Sequence, residues 1–178
     1  IEHLGIGPAV VVGHSLGGVI TCALSAARPD LVAAAVLVDP APFVVSEDVR
    51  LALKALLGRI ASADGEVTRA AIVEGMFMAT DDAERKVSLA KAMASIPHEI
   101  AAPAIGGLLS FDGPAALAAV QRPIASIGSG SSVNDARAMK EINPRILIGQ
   151  TLGAGHFNQL EVPDQVNAMI EHFLRISL

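Results

Sequence analysis

Continuous apolar runs alternate with helically spaced apolar positions along the first forty residues. Residues 9–12 (AVVV) form a short apolar run bounded by glycines, which is typical of a buried strand. Residues 16–28 carry apolar side chains at helical spacing, and Pro29 disfavours a helical conformation at the residue before it. Residues 31–40 (LVAAAVLVDP) are again continuously apolar. This order predicts a βαβ unit, and strands that are apolar on both faces predict a parallel sheet covered by helices on both sides.

The next stretch, residues 43–120, has helical patterns and no strand pattern. Asp81 followed by Glu84 resembles a capping box that opens one of these helices. We therefore predict a helical insertion. Its helical segments are expected near residues 46–60, 68–78, 81–96 and 114–120.

The alternation of strands and helices returns after the insertion. We expect strands at 122–128 and 145–150, a helix at 134–142, a loop at 153–161 and a last helix opened by Pro163. The chain is therefore predicted to have an α/β fold in three parts: a βαβ core at 1–42, the helical insertion at 43–120, and a C-terminal core at 121–178.

Composition excludes several classes of partner. The 178 residues are 52% hydrophobic and 17% charged, and the formal net charge of −5 argues against nucleic acid and anionic membrane surfaces. No apolar run approaches the roughly 18 residues of a spanning helix. No signal peptide is visible, so we expect a cytoplasmic protein, although the chain does not begin with Met. We expect a small-molecule partner and neither nucleic acid nor membrane, while the oligomeric state stays open.

One short motif stands between the first predicted strand and the first predicted helix. Residues 13–17 (GHSLG) fit G-x-S-x-G, which in this context exposes a nucleophilic serine on a sharp turn. Its glycines are expected because side chains there would collide with the adjacent strand and helix. The turn sets the Ser15 hydroxyl at the positive end of the helix dipole, and the Leu16 amide points at a developing oxyanion. We predict that Ser15 is a nucleophile and that Leu16 contributes a backbone donor to an oxyanion hole.

A serine hydroxyl is a weak nucleophile until a neighbouring base activates it. Of the five histidines, His156 follows the last predicted strand directly, in the loop before the final helix. That loop lies at the carboxyl edge of the sheet, where Ser15 also lies and where open parallel sheets bind ligands. We predict that His156 is the general base, whereas His14 is expected to be a structural residue packed under the turn.

Taken together, these segments resemble the α/β-hydrolase superfamily. The resemblance covers essentially the whole chain and rests on VVVGHSLGG (10–18), VLVDPAP (36–42), the helical insertion and GAGHFNQLEVPDQVNAMIEHFL (153–174). It implies a serine–acid–histidine hydrolase with a helical cap over its pocket. Members of the superfamily also have several strands ahead of the serine strand, and a loop there with a second oxyanion amide. Only IEHLGIGP (1–8) precedes that strand here. We therefore expect this chain to be the C-terminal part of a longer protein, and we expect this part to be inactive by itself.

The position of the catalytic acid departs from the commonest pattern of the superfamily. Many relatives carry Asp three residues past the glycine that ends the strand after the insertion, and that count from Gly128 reaches Ser131. A serine cannot orient an imidazolium electrostatically. Asp39, at the end of the second strand, is the favoured replacement, because some members take their acid from this position. Asp135 is the open alternative, although it also fits an ordinary helix N-cap.

The function predicted from these residues is a serine hydrolase. It would cleave an ester, lactone or related acyl bond of a small to medium apolar substrate through Ser15, His156 and Asp39. The alternatives are a non-catalytic small-molecule-binding protein of the same fold, suggested by Ser131 where an acid is expected, and a carbon–carbon bond hydrolase with the same triad. No metal-ligand spacing and no phosphate-loop motif is present, so no metal or cofactor is expected.

Overall fold

A computed structural model describes residues 1–60 and 65–178. Its four strands form one parallel sheet in the order β1-β2-β3-β4. The strands are β1 (Ala9–His14), β2 (Val32–Val38), β3 (Ile124–Gly128) and β4 (Leu147–Gln150). The helices of the described residues are α1 (Leu16–Ala27), α2 (Glu47–Ile60), α3 (Gly65–Gly75), α4 (Ala83–Ala94), α5 (His98–Ser110), α6 (Gly113–Ala119), α7 (Ala136–Ile142), α8 (Asn158–Glu161) and α9 (Pro163–Ser177).

Alternate residues of β2 face two separate apolar cores, because successive side chains of a strand point to opposite faces. On one face, Ala35 and Leu37 pack with residues of α1, α6 and α7. On the other face, Ala34, Val36 and Val38 pack against α9 through Val166 and Phe173. Helices therefore cover both faces of a parallel sheet, as the continuous apolar runs predict. β1 forms one edge of this sheet.

The four expected strands and the expected α/β order are confirmed. The insertion differs in detail, since α5 occupies a stretch for which no helix was expected. Two features conceal α5 in the sequence: Pro97 is its N-cap rather than a terminator of α4 alone, and Pro103 and two glycines interrupt its pattern. The helix opened by acidic residues also begins one position later than the capping box suggests. Its N-cap is Asp82, whose side chain accepts a hydrogen bond from the Arg85 amide.

Within residues 1–60 and 65–178, no single helix is long and apolar enough to cross a membrane. Helices α5 and α6 pass the length and composition test only as a pair, and they are bent by 69° relative to each other.

Candidate active site

Ser15 lies in the turn between β1 and α1, in a backbone conformation that is unusual for a residue with a side chain. Its φ is 54° and its ψ is −121°, a left-handed region that costs on the order of 1–3 kcal/mol. A Cβ added to Gly13 would lie 2.1 Å from the carbonyl oxygen of Gly17, and one added to Gly18 would lie 2.9 Å from Pro40 Cβ. Gly17 has no such neighbour within 4 Å, so the expected steric need for glycine holds at Gly13 and Gly18 but not at Gly17.

The structure brings the side chains of Ser15, His156 and Asp39 together in one chain of hydrogen bonds. His156 Nε2 lies 2.8 Å from Ser15 Oγ, and His156 Nδ1 lies 2.7 Å from Asp39 Oδ2. The carboxylate can only accept, so Nδ1–H donates to it and the unprotonated Nε2 is left to accept the Ser15 hydroxyl proton. The imidazole therefore stands in the tautomer that a general base for Ser15 requires.

Asp39 is a buried carboxylate that directly follows β2. It is 3% exposed and has a positive φ of 34°. Both of its oxygens accept from Ser129, Oδ1 from the backbone amide and Oδ2 from the hydroxyl, each at 2.9 Å. Burial raises the pKa of the Asp39 carboxyl, but hydrogen bonds from His156 and Ser129 outweigh it, so the pKa lies below its ordinary value. Asp39 is therefore held as a carboxylate beside His156.

Backbone strain in non-glycine residues coincides with this site. In the part of the chain that the structure describes, Ser15 and Asp39 are the non-glycine residues with positive φ. Strained conformations persist where the surrounding structure fixes them, and they cluster at functional sites.

The other carboxylate considered, Asp135, lies elsewhere. It is the N-cap of α7, where its side chain accepts a hydrogen bond of 2.9 Å from the Ala138 amide. Ser131 is closer to the site, and its Oγ lies 3.2 Å from Ser129 Oγ. The loop after β3 therefore brings hydroxyl groups to Asp39 but no carboxylate to His156.

Ser129 was not anticipated as a site residue. The signal for it is its position, because it directly follows the glycine that ends β3, at the sheet edge where Asp39 ends the neighbouring strand. Serine runs in such loops are commonly read as turn formers, and nothing in the sequence shows that this one is fully buried.

His14 packs beneath the site, as expected for a structural residue, and it also contacts His156. Its ring centroid lies 4.7 Å from that of His156, and its Nε2–H donates to the His156 carbonyl oxygen at 2.8 Å. Burial lowers the pKa of His14, so its imidazole is favoured in the neutral form. A neutral ring beneath His156 supports the loop and adds no positive charge beside the imidazole.

A cavity of about 710 Å³ opens above Ser15. Its wall is largely aliphatic and comes from α2, α3, α5 and the loops after β2 and β3. Leu16 lies in this wall, and its amide is the first of α1, where backbone N–H groups have no partner within the helix. Apart from Asp39 and His156, the charged groups among the described lining residues are Arg50, which is paired with Glu47, and Asp112, which caps α6.

No group of three or more His, Cys, Asp or Glu side chains in residues 1–60 and 65–178 is placed to hold a metal ion.

Comparison with known proteins gives the family. The model of the alpha/beta hydrolase fold matches residues 1–163. The chain belongs to the alpha/beta hydrolase family. This confirms the resemblance inferred from the sequence.

This alpha/beta hydrolase chain is similar to proteins named as a lipase, an esterase and an enol-lactonase. Over 98 residues it is 37% identical to Lipase LipV of Mycobacterium tuberculosis, a match that covers 55% of this chain but only 38% of that lipase. Its fold matches a thermophilic esterase from Thermogutta terrifontis with a TM-score of 0.78, 22% identity, and coverage of 99% of this chain and 68% of the esterase. It also matches the enol-lactonase from Burkholderia xenovorans LB400 with a TM-score of 0.77, 20% identity, and coverage of 98% and 68%. The chain thus spans about two thirds of these two structures.

Proposed function

We propose that this chain carries the serine, histidine and aspartate of a hydrolase that cleaves an ester, lactone or related acyl bond. The observation that carries the proposal is the run of two short hydrogen bonds, 2.8 Å from His156 Nε2 to Ser15 Oγ and 2.7 Å from His156 Nδ1 to Asp39. These groups lie at the wall of the large cavity. The names of the relatives, a lipase, an esterase and an enol-lactonase, agree with this reaction class.

In the first half of the reaction, Ser15 Oγ attacks the substrate carbonyl carbon while His156 Nε2 takes its proton. Asp39 stabilises the resulting imidazolium and keeps the ring in one orientation. The carbonyl oxygen becomes an oxyanion, toward which the Leu16 amide donates at the positive end of α1. When the tetrahedral intermediate collapses, His156 returns the proton to the leaving alcohol and Ser15 remains acylated.

In the second half, water attacks the acyl-serine carbonyl and gives a proton to His156. Collapse of this second intermediate releases the carboxylic acid, and His156 returns the proton to Ser15 Oγ. Ser15 and His156 therefore return to their initial protonation states, and each turnover cleaves one acyl bond and consumes one molecule of water. The same atoms act in both halves, which is why one histidine tautomer suffices.

The wall of the cavity supports a substrate of small to medium size that is mainly apolar. A volume of about 710 Å³ falls within the range of small-molecule sites. Aliphatic side chains such as Leu53, Ile72 and Leu108 face it, and Arg50, a cationic side chain among the described lining residues, is engaged by Glu47. Burial of an apolar acyl group in this cavity is favoured by the hydrophobic effect. A highly charged substrate would lose its hydration there without gaining an ion-pair partner.

Two alternatives differ in their support. A non-catalytic binding protein was suggested by the missing acid at Ser131, and the contact between Asp39 and His156 removes that argument. A carbon–carbon bond hydrolase would use the same three side chains, so the contacts of Ser15 and His156 do not distinguish it from an esterase. Turnover of matched ester, lactone and diketone substrates separates these reactions.

Labelling with a fluorophosphonate tests the proposal. This probe phosphonylates a serine that a neighbouring base activates, and it is applied to the full-length protein that carries this chain. We expect the protein and its Ser132→Ala control to be labelled, and the Ser15→Ala variant to be unlabelled. Absence of labelling in folded protein, or labelling that survives Ser15→Ala, contradicts the proposal.

A further inference from the structure

The loop that carries His156 is held by a segment of the helical insertion. This segment is the α3–α4 connection (residues 76–82), and it lies against the His156 loop (residues 151–157). The His156 amide donates to the Met76 carbonyl oxygen at 2.8 Å, and the Thr80 hydroxyl donates to the Gly153 carbonyl oxygen at 3.0 Å. The backbone at His156 and three residues before it is therefore attached to the insertion.

Asp81 provides the polar centre of this contact. Its Oδ2 accepts from the Met78 amide at 2.7 Å and from the Gly155 amide at 3.1 Å, and its Oδ1 lies 3.2 Å from the same Gly155 amide. One carboxylate thus joins the connection to the residue immediately before His156. The sequence reading of Asp81 as a helix cap missed this role, because the cap is the next residue, Asp82.

Close backbone approach makes the contact sensitive to small displacements. A Cβ added to Gly155 would lie 2.4 Å from the Met76 carbonyl oxygen and 2.7 Å from Asp81 Oδ2. Beside it, the rings of Phe77 and Phe157 are stacked with centroids 4.8 Å apart. The loop around Gly155 is therefore held by the packing of Phe157 as well as by hydrogen bonds.

The far side of the connection is anchored independently. Glu161 accepts from the Asp82 amide at 3.0 Å and forms an ion pair with Arg85 at 2.9 Å. These contacts join the start of α4 to Glu161 of α8, which lies five residues after His156 in the chain. Asp81 and Asp82 are thus neighbours in sequence with separate tasks, since the Asp81 carboxylate contacts the His156 loop and the Asp82 carboxylate caps α4.

We propose that Asp81 is a positioning residue for His156. Through it, the helical insertion sets the distance between His156 Nε2 and Ser15 Oγ. The inference rests on the proposed function, because it assigns Asp81 to the same proton transfer. Its basis is geometric: Asp81 fixes the amide of Gly155, the following residue places Nε2 at 2.8 Å from Ser15 Oγ, and Met76 both accepts from His156 and lines the cavity. A shift of about 1 Å in a reacting group is enough to cost on the order of 10²-fold in rate.

The test compares fluorophosphonate labelling rates of Asp81→Ala, Asp81→Asn and Asp82→Ala in the full-length protein. Each rate is measured below the melting temperature of that variant, so that every sample is folded. We expect Asp81→Ala to be labelled at Ser15 about 10- to 100-fold more slowly than the original protein. Asp81→Asn keeps one oxygen that can accept from both Met78 and Gly155, and it should recover most of the rate.

Asp82→Ala is the matched control. It removes a helix cap and should lower the melting temperature while the labelling rate stays at the original value. A general loss of stability would slow both alanine variants alike, and that result overturns the positioning role, as does an unchanged rate in Asp81→Ala. If the original protein is not labelled at all, the proposed function fails instead, so the two failures are distinguishable.

If Asp81→Ala does not fold, a second variant tests the other part of the proposal, that the insertion sets the position of the His156 loop. Thr80→Val removes the exposed donor to the Gly153 carbonyl oxygen and leaves the Asp81 carboxylate in place. Slower labelling at Ser15 with little change in melting temperature supports the attachment of the His156 loop to the insertion. A rate equal to that of the original protein contradicts it.

Discussion

The carboxyl ends of β2 and β3 lie side by side in the sheet, yet they bring opposite chemistry to the site. β2 is followed directly by a buried carboxylate, Asp39, which accepts from His156 Nδ1. β3 ends at Gly128 and is followed by hydroxyl groups, of which Ser129 donates to both oxygens of Asp39. The loop after β3 therefore holds an acid that the end of β2 supplies.

The difference shows which requirement the site imposes. Neighbouring strands lie about 4.8 Å apart, so the end of either strand can direct a carboxylate to the same imidazole nitrogen. The loop position expected to carry the acid holds Ser131, whose hydroxyl is 3.2 Å from Ser129 Oγ. The proposed mechanism thus requires a fixed negative charge at His156 Nδ1, and the strand that delivers it can differ.

The largest expected effect is at the end of β2. Asp39→Asn keeps the size of the side chain but removes the charge that orients and stabilises the imidazolium. We expect turnover by the full-length protein to fall by about 10⁴-fold. Turnover of a p-nitrophenyl ester measures this, and retention of most activity would return the acid to Asp135 or to another group.

Moving the charge to the other strand end gives the second largest effect. In an Asp39→Asn background, Ser131→Asp places a carboxylate where many relatives are expected to carry it. We expect turnover to rise about tenfold or more above that of Asp39→Asn alone, because the imidazolium regains a partner. Ser132→Asp in the same background is the control and should recover nothing; equal recovery from both would mean that any nearby charge suffices.

A smaller effect is expected from the support that β3 gives to Asp39. Ser129→Ala removes the hydroxyl donor at 2.9 Å and leaves the backbone amide donor. A hydrogen bond to a charged group contributes roughly 1.5–3 kcal/mol, so turnover should fall about tenfold. An unchanged turnover would show that the backbone amide alone fixes the carboxylate.

The same variant has a pH signature in its stability. The hydrogen bonds hold the pKa of Asp39 below its ordinary value, so their stabilisation is complete above about pH 4 and is lost as the pH falls through the folded-state pKa. Ser129→Ala should therefore lower the free energy of unfolding at pH 7 and differ less from the original protein in strong acid. Denaturant titrations at several pH values measure this difference.

The smallest effect is expected at the helix that follows the β3 loop. Asp135→Ala removes an N-cap bond to the Ala138 amide, which should cost about 1 kcal/mol of stability and leave turnover unchanged. Denaturant unfolding gives the first quantity and ester hydrolysis the second. A loss of turnover that exceeds the loss of folded protein would assign Asp135 a part in the site.

The sequence predicts well where local patterns decide the structure. The apolar runs of the strands, the turn around Ser15 and the placement of His156 after β4 follow from spacing, and the ends of parallel strands share one edge. Contacts between distant loops do not follow from spacing. The hydrogen bonds from Ser129 to Asp39 and from the Gly155 amide to Asp81 join residues 90 and 74 positions apart, and each of these side chains also fits a local turn or cap.

The strained backbone at Ser15 and Asp39 has a consequence for anyone who engineers this protein. Glycine adopts positive φ without a steric penalty, so a screen that rewards heat tolerance alone would favour glycine at position 15. Under the proposed mechanism, such a variant would be more stable but would lack the nucleophile. Selection experiments on this scaffold therefore need to measure turnover in every round. Stability favours glycine at the positive φ of position 15, whereas the proposed reaction needs a serine there.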